Sequence, residues 1–258
     1  MKAITKFNMN IFKTAKSIVK RLRHLRVIDE RQLYRHHEEV HLRRLLKWLQ
    51  VDCIFDVGAN RGQYGLMIRK NANYSGDIVS FEPIPDAVDA LRKLSQRDDH
   101  WQIEEMALSC ESGRRQFNIM TTDEFSSFGS PDDEDVVLFR KNNSICNEIS
   151  VKTETLFDAY KRLSSALGFK RPFLKMDTQG FDVEVFRSGG DVVNQFVGIQ
   201  SEMAIRKIYK QTVGFSEALD VYQKAGFELS AMVPNNAGTF PCLVEMDAIL
   251  VRRDLMER

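Results

Sequence analysis

The chain has 258 residues, of which 43% are hydrophobic and 28% charged, and its formal net charge is +1. These values are typical of a globular protein that buries a large core, here one α/β domain with an appendage. Its four cysteines lie far apart and form no C-x-x-C pair, which argues against a disulfide framework or a zinc knuckle and indicates a reducing, cytoplasmic compartment. They are Cys53, Cys110, Cys146 and Cys242.

The beginning of the chain differs in charge from the rest. Residues 1–26 hold eight Lys or Arg residues and no acid, which leaves 29 basic against 36 acidic residues, about −7, for the remainder. Over residues 4–25, apolar side chains recur at three- and four-residue spacings with basic side chains opposite them, which predicts an amphipathic helix. The segment is too charged to span a bilayer and lacks the cleavage site of a secretory signal.

Two interpretations of this helix stay open. As a surface anchor on anionic lipid, it would place the protein peripherally on the inner face of the membrane. Alternatively, it docks on its own domain or on the second subunit of a homodimer. A second helix, at about Tyr34–Gln50, has a leucine-rich face that we expect to pack against a sheet. Residues 1–50 are therefore predicted to be a basic, helical, amphipathic arm.

The stretch after this arm predicts a strand, a glycine-rich turn and a helix. An apolar strand, Cys53–Val57, ends at Gly58, and the chain turns through Asn60 and Gly62 into a helix that begins near Tyr64. A helix that begins there directs free N–H groups at whatever lies in the turn. One strand later, Glu82 follows the apolar run Ile78–Phe81, at the position where an acid commonly binds the ribose hydroxyls of a nucleotide-like ligand.

The spacing of the glycines indicates which cofactor such a site binds. Gly58, Gly62 and Gly65 do not form the G-x-G-x-x-G pattern of dinucleotide sites, and the chain has no phosphate-binding P-loop motif. Asp56, one residue before the first glycine, suits a ligand with a cationic amino-acid end. These features favour S-adenosylmethionine over NAD or ATP. The alternative is an α/β crossover in which the glycines serve packing alone.

The remaining elements alternate along the chain. The predicted helices are Asp86–Ser95, Glu154–Ala166, Phe181–Arg187 and Phe215–Ala225. The predicted strands are Trp101–Leu108, Arg114–Met120, Ile149–Thr153, Arg171–Asp177, Phe196–Glu202, Phe227–Val233 and Leu243–Val251. Thr121–Glu148 shows no clear periodicity, which is typical of a lid or a binding loop, and we expect it to help receive the acceptor.

These elements predict a Rossmann-like α/β fold. We expect a seven-stranded, mostly parallel sheet with helices on both faces, and the last two strands form an antiparallel hairpin at its edge because their connection is short. Ala107, at the end of the third predicted strand, is expected to lie over the adenine of the cofactor.

Three segments, in this order and spacing, resemble the FkbM family of methyltransferases. They are Asp56-Val57-Gly58-Ala59-Asn60-Arg61-Gly62-Gln63-Tyr64, Phe81-Glu82-Pro83 and Lys175-Met176-Asp177-Thr178-Gln179-Gly180-Phe181-Asp182-Val183-Glu184. The resemblance covers about Val51–Arg252, so that residues 51–258 form the predicted methyltransferase domain. It implies a class I fold and S-adenosylmethionine-dependent O-methylation, often of sugar or polyketide hydroxyls.

Methyl transfer to a hydroxyl requires a group that takes the proton. Four of the five histidines precede the domain, and His100 lies at the amino end of the sheet, whereas ligands of such sheets bind at the carboxyl end. Asp177 and Glu202, which end two predicted strands, are therefore the candidate bases, and Lys175 is a candidate for polarising Asp177 or holding the acceptor. Both acids have alternatives as turn or helix-capping carboxylates. A divalent metal shared by the two stays open, although no metal is assigned.

Other methyl-transfer chemistries leave marks that are absent here. Amino methylation of nucleic acid usually places a [DNS]-P-P-[YFW] stretch where this chain has Asp177-Thr178-Gln179-Gly180. The only Pro-Cys pair, Pro241-Cys242, lies in the late hairpin, so that no cytosine C5 nucleophile is expected either. The sequence predicts transfer to a hydroxyl of a small molecule, sugar or glycan, and no nucleic-acid partner. The alternatives are a catalytically inactive cofactor-binding module, an enzyme for a polyketide-like hydroxyl, and an NAD-dependent enzyme that modifies nucleotide sugars.

Overall fold

The computed structural model describes residues 33–121, 126–129, 144–207, 211–234 and 241–256. The helix predicted over residues 4–25 lies outside the described residues. The strands are β1 Cys53–Val57, β2 Asp77–Phe81, β3 Trp101–Glu104, β4 Ala107–Leu108, β5 Gly113–Met120, β6 Ile145–Glu154, β7 Pro172–Met176, β8 Gly198–Ala204, β9 Phe227–Pro234 and β10 Glu245–Arg252. The helices are α1 Leu33–Trp48, α2 Gln63–Lys70, α3 Pro85–Ser95, α4 Leu156–Leu167, α5 Asp182–Ser188, α6 Phe215–Lys224 and α7 Arg253–Met256, with a 3₁₀ helix at Gly190–Gln195.

The main sheet has seven strands in the order β3-β2-β1-β7-β8-β10-β9. All neighbours are parallel except β10, which is antiparallel to both β8 and β9. The predicted sheet and its terminal hairpin at the edge are confirmed. Every residue of β1 and β7 is buried, because helices cover both faces of a mostly parallel sheet. These central strands are apolar apart from Asp56 and Lys175.

Two apolar cores lie on the two faces of this sheet. One core joins the sheet to α1, α2 and α3, and the leucine-rich face of α1 packs there as predicted, with Leu42 and Leu49 almost fully buried. The other core joins the sheet to α4, α5 and α6, and its centre is Phe55. Phe55 contacts Phe169 and Phe196 edge-on, with ring centroids 5.6 Å and 5.4 Å away.

A second sheet of three strands, in the order β4-β6-β5, lies outside the main one. The prediction of one strand over Trp101–Leu108 was wrong, because the chain turns after Glu104, where the N–H of Met106 donates to the Glu104 carbonyl at 2.9 Å. Ala107 and Leu108 then pair with β6. The apolar run Met106-Ala107-Leu108 has the pattern of a strand end, and for this reason it was assigned to β3. Its residues Ala107 and Leu108 instead belong to the second sheet.

The second sheet also changes the predicted binding loop. β6 begins at Ile145, so that the carboxyl end of the predicted Thr121–Glu148 loop belongs to a strand that pairs with β5. Within that loop, the structure describes Thr121, residues 126–129 and residues from 144 onward. Among the described residues, no helix is long and apolar enough to cross a membrane.

Gly65 in α2 leaves no room for a larger side chain. A Cβ at this position would lie 2.3 Å from Cζ2 of the buried Trp101 indole. We expect Gly65→Ala to lower the free energy of unfolding by about 1–3 kcal/mol, the usual cost of overpacking a core, and a urea titration measures this change. Gly214→Ala is the control, since a Cβ there meets only Lys207 Cε, at 4.0 Å. If Gly65→Ala is no less stable than this control, the packing of Trp101 on α2 is not the constraint inferred here.

Candidate cofactor-binding and active site

The turn after β1 is a backbone cradle that requires glycine at two positions. Gly58 and Gly62 have φ values of 73° and 88°, in the left-handed region that favours glycine. A Cβ on Gly58 would lie 1.9 Å from the carbonyl oxygen of Asp177, whereas a Cβ on Gly62 would meet Leu94 and Leu91 of α3 at 2.9 Å and 3.0 Å. The first glycine thus allows the turn to approach β7, and the second allows α2 to pack on α3.

Glu82 closes this cradle from the end of β2. Its two carboxylate oxygens accept the backbone N–H groups of Asn60 at 2.8 Å and of Ile84 at 2.9 Å. Asn60 itself has a φ of 46°, and its side-chain Oδ1 is buried without a hydrogen-bond partner among the described residues. A buried amide oxygen without a donor, beside a carboxylate with remaining acceptor capacity, suits a ligand that brings hydroxyl or amino donors. These residues fit the adenosine part of S-adenosylmethionine.

The electrostatics of Glu82 differ from those of an exposed glutamate. Burial raises the pKa of Glu82 to about 7, against the lowering effect of the two backbone N–H groups and of Lys175. Its protonation state therefore changes near neutral pH.

Ala107 lies in β4 and not at the end of the third strand. It is buried, and it packs with Phe117 and Val151 of the second sheet and with Ile84, two residues after Glu82. The structure thus places Ala107 next to the turn that carries Glu82, and its contact with adenine stays a prediction.

Lys175 and Asp56 form a buried ion pair in the central strands β7 and β1, next to the glycine turn. The Lys175 Nζ lies 3.2 Å from Asp56 Oδ1, and the side chains are only 5% and 0% exposed. Ser80 Oγ donates to Asp56 Oδ2 at 3.0 Å and in turn accepts the indole N–H of Trp101 at 3.0 Å. Because Asp56 is fully enclosed by these partners, its predicted contact with the amino-acid end of the ligand is not evident in the geometry and stays a prediction.

The ammonium group of Lys175 also reaches the glycine turn and Asp177. It donates to the Gly58 carbonyl at 3.1 Å, and it lies 3.6 Å from Asp177 Oδ2. Burial lowers the pKa of Lys175, but the negative charges of Asp56 and Asp177 outweigh burial and raise it above its usual value. Lys175 therefore stays protonated and positions its neighbours, and it does not serve as a base.

Tyr64, in the first turn of α2, lies beside the same ammonium group. The Lys175 Nζ is 5.2 Å from the centroid of the Tyr64 ring, and the Tyr64 hydroxyl donates to Gln200 Oε1 of β8 at 3.2 Å. Loss of solvent raises the pKa of Tyr64 well above its usual value, and nearby carboxylates raise it further. Tyr64 thus stays neutral and links α2 to the centre of the sheet.

Asp177 and Glu202 are brought together by the carboxyl ends of the neighbouring strands β7 and β8. The side-chain amide of Gln179 donates to Asp177 Oδ1 at 3.1 Å and to Glu202 Oε2 at 2.9 Å. Loss of solvent raises the pKa of Glu202 well above its usual value, and the negative charge of Asp177 raises it further. Asp177 remains accessible, with 37% of its side chain exposed. An accessible carboxylate therefore lies directly after the strand that forms the ion pair.

Asp182 holds the loop that connects these residues. Its carboxylate accepts the backbone N–H and the hydroxyl of Thr178 at 2.8 Å and 2.6 Å, the hydroxyl of Ser201 at 2.9 Å and the N–H of Glu202 at 2.9 Å. This one buried side chain fixes the end of β8 against the loop after β7.

Three residues of the site, Gln179, Asp182 and Gln200, were not predicted from the sequence. Gln179 and Asp182 lie in the segment that resembles the family, which is a signal that could have found them. Gln179 also has a φ of 53°, which is an unusual backbone conformation for glutamine. The local sequence does not predict this conformation. Gln200 lies inside a buried strand and is followed by two further polar residues, Ser201 and Glu202, so that local sequence does not distinguish it.

No group of three or more His, Cys, Asp and Glu side chains in the described ranges has an arrangement that could hold a metal ion. Between Asp177 and Glu202, amide hydrogens of Gln179 contact one oxygen of each carboxylate.

The sheet order and the glycine turn are those of a Rossmann-like fold of the class I methyltransferase type. Residues 56–229, more than half of the chain, match the model of the methyltransferase FkbM domain. The chain therefore belongs to the FkbM family of methyltransferases, which confirms the predicted family and the predicted cofactor, S-adenosylmethionine. No curated protein matches the chain in a sequence comparison.

Solved structures of methyltransferases are similar in fold but distant in sequence. Methyltransferase FkbM from Methylobacillus flagellatus KT is 9% identical, with a TM-score of 0.48, over 77% of this chain and 43% of that chain. Fibrillarin from Aeropyrum pernix, with natively bound S-adenosyl-L-methionine, is 10% identical, with a TM-score of 0.42, over 78% of this chain and 66% of that chain. N-methyltransferase NodS from Bradyrhizobium japonicum WM9 is 12% identical, with a TM-score of 0.45, over 85% and 96% of the two chains. The chain thus spans less than half of the FkbM structure.

The raised pKa of Glu82 makes cofactor affinity depend on pH. We expect the affinity for S-adenosylhomocysteine to fall as pH decreases below about 7, by up to about tenfold per pH unit, because protonation removes an acceptor for the ribose hydroxyls. Isothermal titration at pH 6, 7 and 8 measures this slope. Glu82→Gln is expected to bind more weakly at pH 8 and to show a flatter profile. Identical profiles for the two proteins would mean that Glu82 does not bind the ribose.

Removal of one partner of the Lys175–Asp56 pair leaves a buried charge without compensation. We expect Lys175→Met to lower the free energy of unfolding by about 3–5 kcal/mol, measured by urea titration. The control is Asp56→Asn with Lys175→Met, which removes both charges and should recover a large part of this loss. A single variant that is as stable as the double variant would contradict the structural role of the pair.

Proposed function

We propose that the protein transfers the methyl group of S-adenosylmethionine to a hydroxyl of a sugar or glycan. The observation that carries this proposal is the pair of carboxylates, Asp177 and Glu202, that Gln179 bridges at the carboxyl ends of β7 and β8. The pair lies next to the glycine turn. The backbone of Asp177 is so close to Gly58 that a Cβ added to this glycine would collide with the Asp177 carbonyl. A base is therefore adjacent to the cofactor cradle.

Asp177 has the position required of the general base. S-adenosylmethionine supplies an electrophilic methyl group when it is bound. In that reaction the S–CH3 bond would break and the thioether S-adenosylhomocysteine would leave, and the Asp177 carboxylate would take the proton of the acceptor hydroxyl. The Lys175 ammonium, 3.6 Å away, and the Gln179 amide hold this carboxylate in place. Glu202, whose pKa is raised, holds the acceptor through a further hydrogen bond.

The polarity of the surrounding residues supports a neutral, hydroxyl-rich acceptor. Carboxylates and amides that point toward one edge of the sheet are good partners for sugar hydroxyls. Burial, together with the charges of Asp177 and Asp182, raises the pKa of Glu245 to about 8, so that this carboxyl can donate as well as accept a hydrogen bond near neutral pH.

The experiment that tests this function supplies a labelled methyl donor to the purified protein with an extract of glycans and lipids from its host. Label in a carbohydrate fraction, in an ether that resists mild base, supports the proposal. Label confined to protein or nucleic acid would contradict the sugar acceptor, and label in a small aromatic or polyketide-like product would favour that alternative. Cofactor binding without any transfer would favour an inactive binding module. An increase in thermal stability with NAD instead of S-adenosylhomocysteine would favour the NAD-dependent enzyme.

Replacement of Asp177 separates binding from chemistry. We expect Asp177→Asn to reduce turnover by about two to four orders of magnitude, since the amide cannot accept the proton, while affinity for S-adenosylhomocysteine changes little. Asp191→Asn is the control, because this exposed aspartate lies outside the site. Wild-type turnover in Asp177→Asn would show that the proton goes elsewhere. Loss of cofactor binding would make Asp177 a binding residue and Glu202 the better candidate base.

A further inference from the structure

Helix α1 lies outside the region that matches the family model, yet one of its side chains reaches the centre of the sheet. Glu38 is partly buried, and its Oε1 accepts the side-chain N–H of Gln200 at 2.7 Å. Gln200 is only 1% exposed and occupies the middle of β8. The arm before the domain thus contributes a carboxylate to the interior of the methyltransferase fold.

The amide of Gln200 has different partners at its two ends. Its nitrogen donates to Glu38, and its oxygen accepts the Tyr64 hydroxyl at 3.2 Å. A carboxylate accepts and does not donate, so that Glu38 selects the orientation in which the amide nitrogen faces α1. The amide oxygen must then face Tyr64. Asp247 of β10 also interacts with the Gln200 amide, so that Glu38 is one of two acids that favour this orientation, and it is the one that α1 supplies.

Tyr64 links the Gln200 amide to the cofactor cradle. It lies in the first turn of α2, two residues after Gly62, and its ring lies 5.2 Å from the Lys175 ammonium. Lys175 in turn donates to the Gly58 carbonyl at 3.1 Å. A continuous series of contacts therefore runs from Glu38 through Gln200, Tyr64 and Lys175 to Gly58 of the turn.

We propose that Glu38 is a positioning residue of the cofactor site, which fixes the Gln200 amide and thereby holds Tyr64 and the glycine turn in the arrangement that binds S-adenosylmethionine. This inference rests on the cofactor assignment and not on the identity of the acceptor. Glu38 touches neither the cradle nor Asp177 in the described contacts, so that it acts through its neighbours.

The charged groups around Glu38 are consistent with this role. Arg35 and Glu39 face it from α1, Lys175 from β7, and Asp247 from β10. Burial raises the pKa of Glu38, while the Gln200 amide and Lys175 lower it. Burial of a carboxylate costs free energy, and here the hydrogen bond from Gln200 and the positive charge of Lys175 offset part of that cost.

Glu38→Gln tests the proposal with a side chain of nearly equal volume. An amide at position 38 offers both donor and acceptor, so that it no longer selects the Gln200 orientation and leaves this selection to Asp247 alone. We expect the Kd for S-adenosylhomocysteine to rise about three- to tenfold, the equivalent of one hydrogen bond, with little change in thermal stability. In the labelled-transfer assay, KM for S-adenosylmethionine should rise while kcat is kept. Glu39→Gln is the control, because Glu39 accepts from Asn71 at the end of α2 and not from the sheet.

A double-mutant cycle with Tyr64→Phe tests whether Glu38 acts on the cofactor site through Gln200 and Tyr64. Tyr64→Phe alone should weaken binding by a similar factor, and Glu38→Gln should add little to it, because both act through Gln200. If Glu38→Gln does not fold, Tyr64→Phe alone decides, and wild-type affinity in that variant would overturn the inference. Wild-type affinity in a folded Glu38→Gln protein, or full additivity of the two changes, would overturn it as well. Absence of binding to the wild-type protein would instead refute the cofactor assignment.

Discussion

The buried ion pair between Lys175 and Asp56 is the constraint on which the site depends. The two residues are directly opposite each other in the central strands β7 and β1, and both are almost fully enclosed. Desolvation of two charges is costly, so such a pair is weak evidence for stability in itself. The contribution of this pair is to specify the register in which β7 pairs with β1. A one-residue slip of β7 would turn Lys175 to the other face of the sheet, toward the apolar core around Phe55 and away from Asp56.

The same pair connects the pieces of the site. The Lys175 ammonium contacts the Gly58 carbonyl on the turn and Asp177 after the strand, while Asp56 is held by Ser80 and, through it, by Trp101. A layer of polar groups thus crosses the sheet from β3 to β8 on the face covered by α1 and α2. The apolar core on that face lies toward the amino ends of the strands, so that the polar layer occupies the end where ligands bind.

The sequence predicted the elements that depend on local pattern. Apolar runs identified β1 and β7, the glycine spacing identified the turn, and Asp177 and Glu202 were expected to be close because they lie near the carboxyl ends of strands. The prediction was weakest for contacts between residues that are far apart in the sequence. Nothing in Met106-Ala107-Leu108 indicates that these residues leave the main sheet for β6, almost fifty residues later in the chain. The contact between Glu38 and Gln200, 162 residues apart, likewise depends on the packing of α1 and not on any motif.

Two glutamine amides organise the acidic groups of the site. Gln179 donates to Asp177 and Glu202, and Gln200 donates to Glu38 and to Asp247, which is opposite Glu202 in the neighbouring strand. Neutral donors between carboxylates allow these groups to lie close without full mutual repulsion. The proposed chemistry suits this arrangement. Asp177 would accept a proton while S-adenosylmethionine, a sulfonium cation, would supply the methyl group and leave as a neutral thioether, so that one negative and one positive charge would disappear together. The partial burial of Asp177 suits such a reaction, because it neutralises charge there and does not create it.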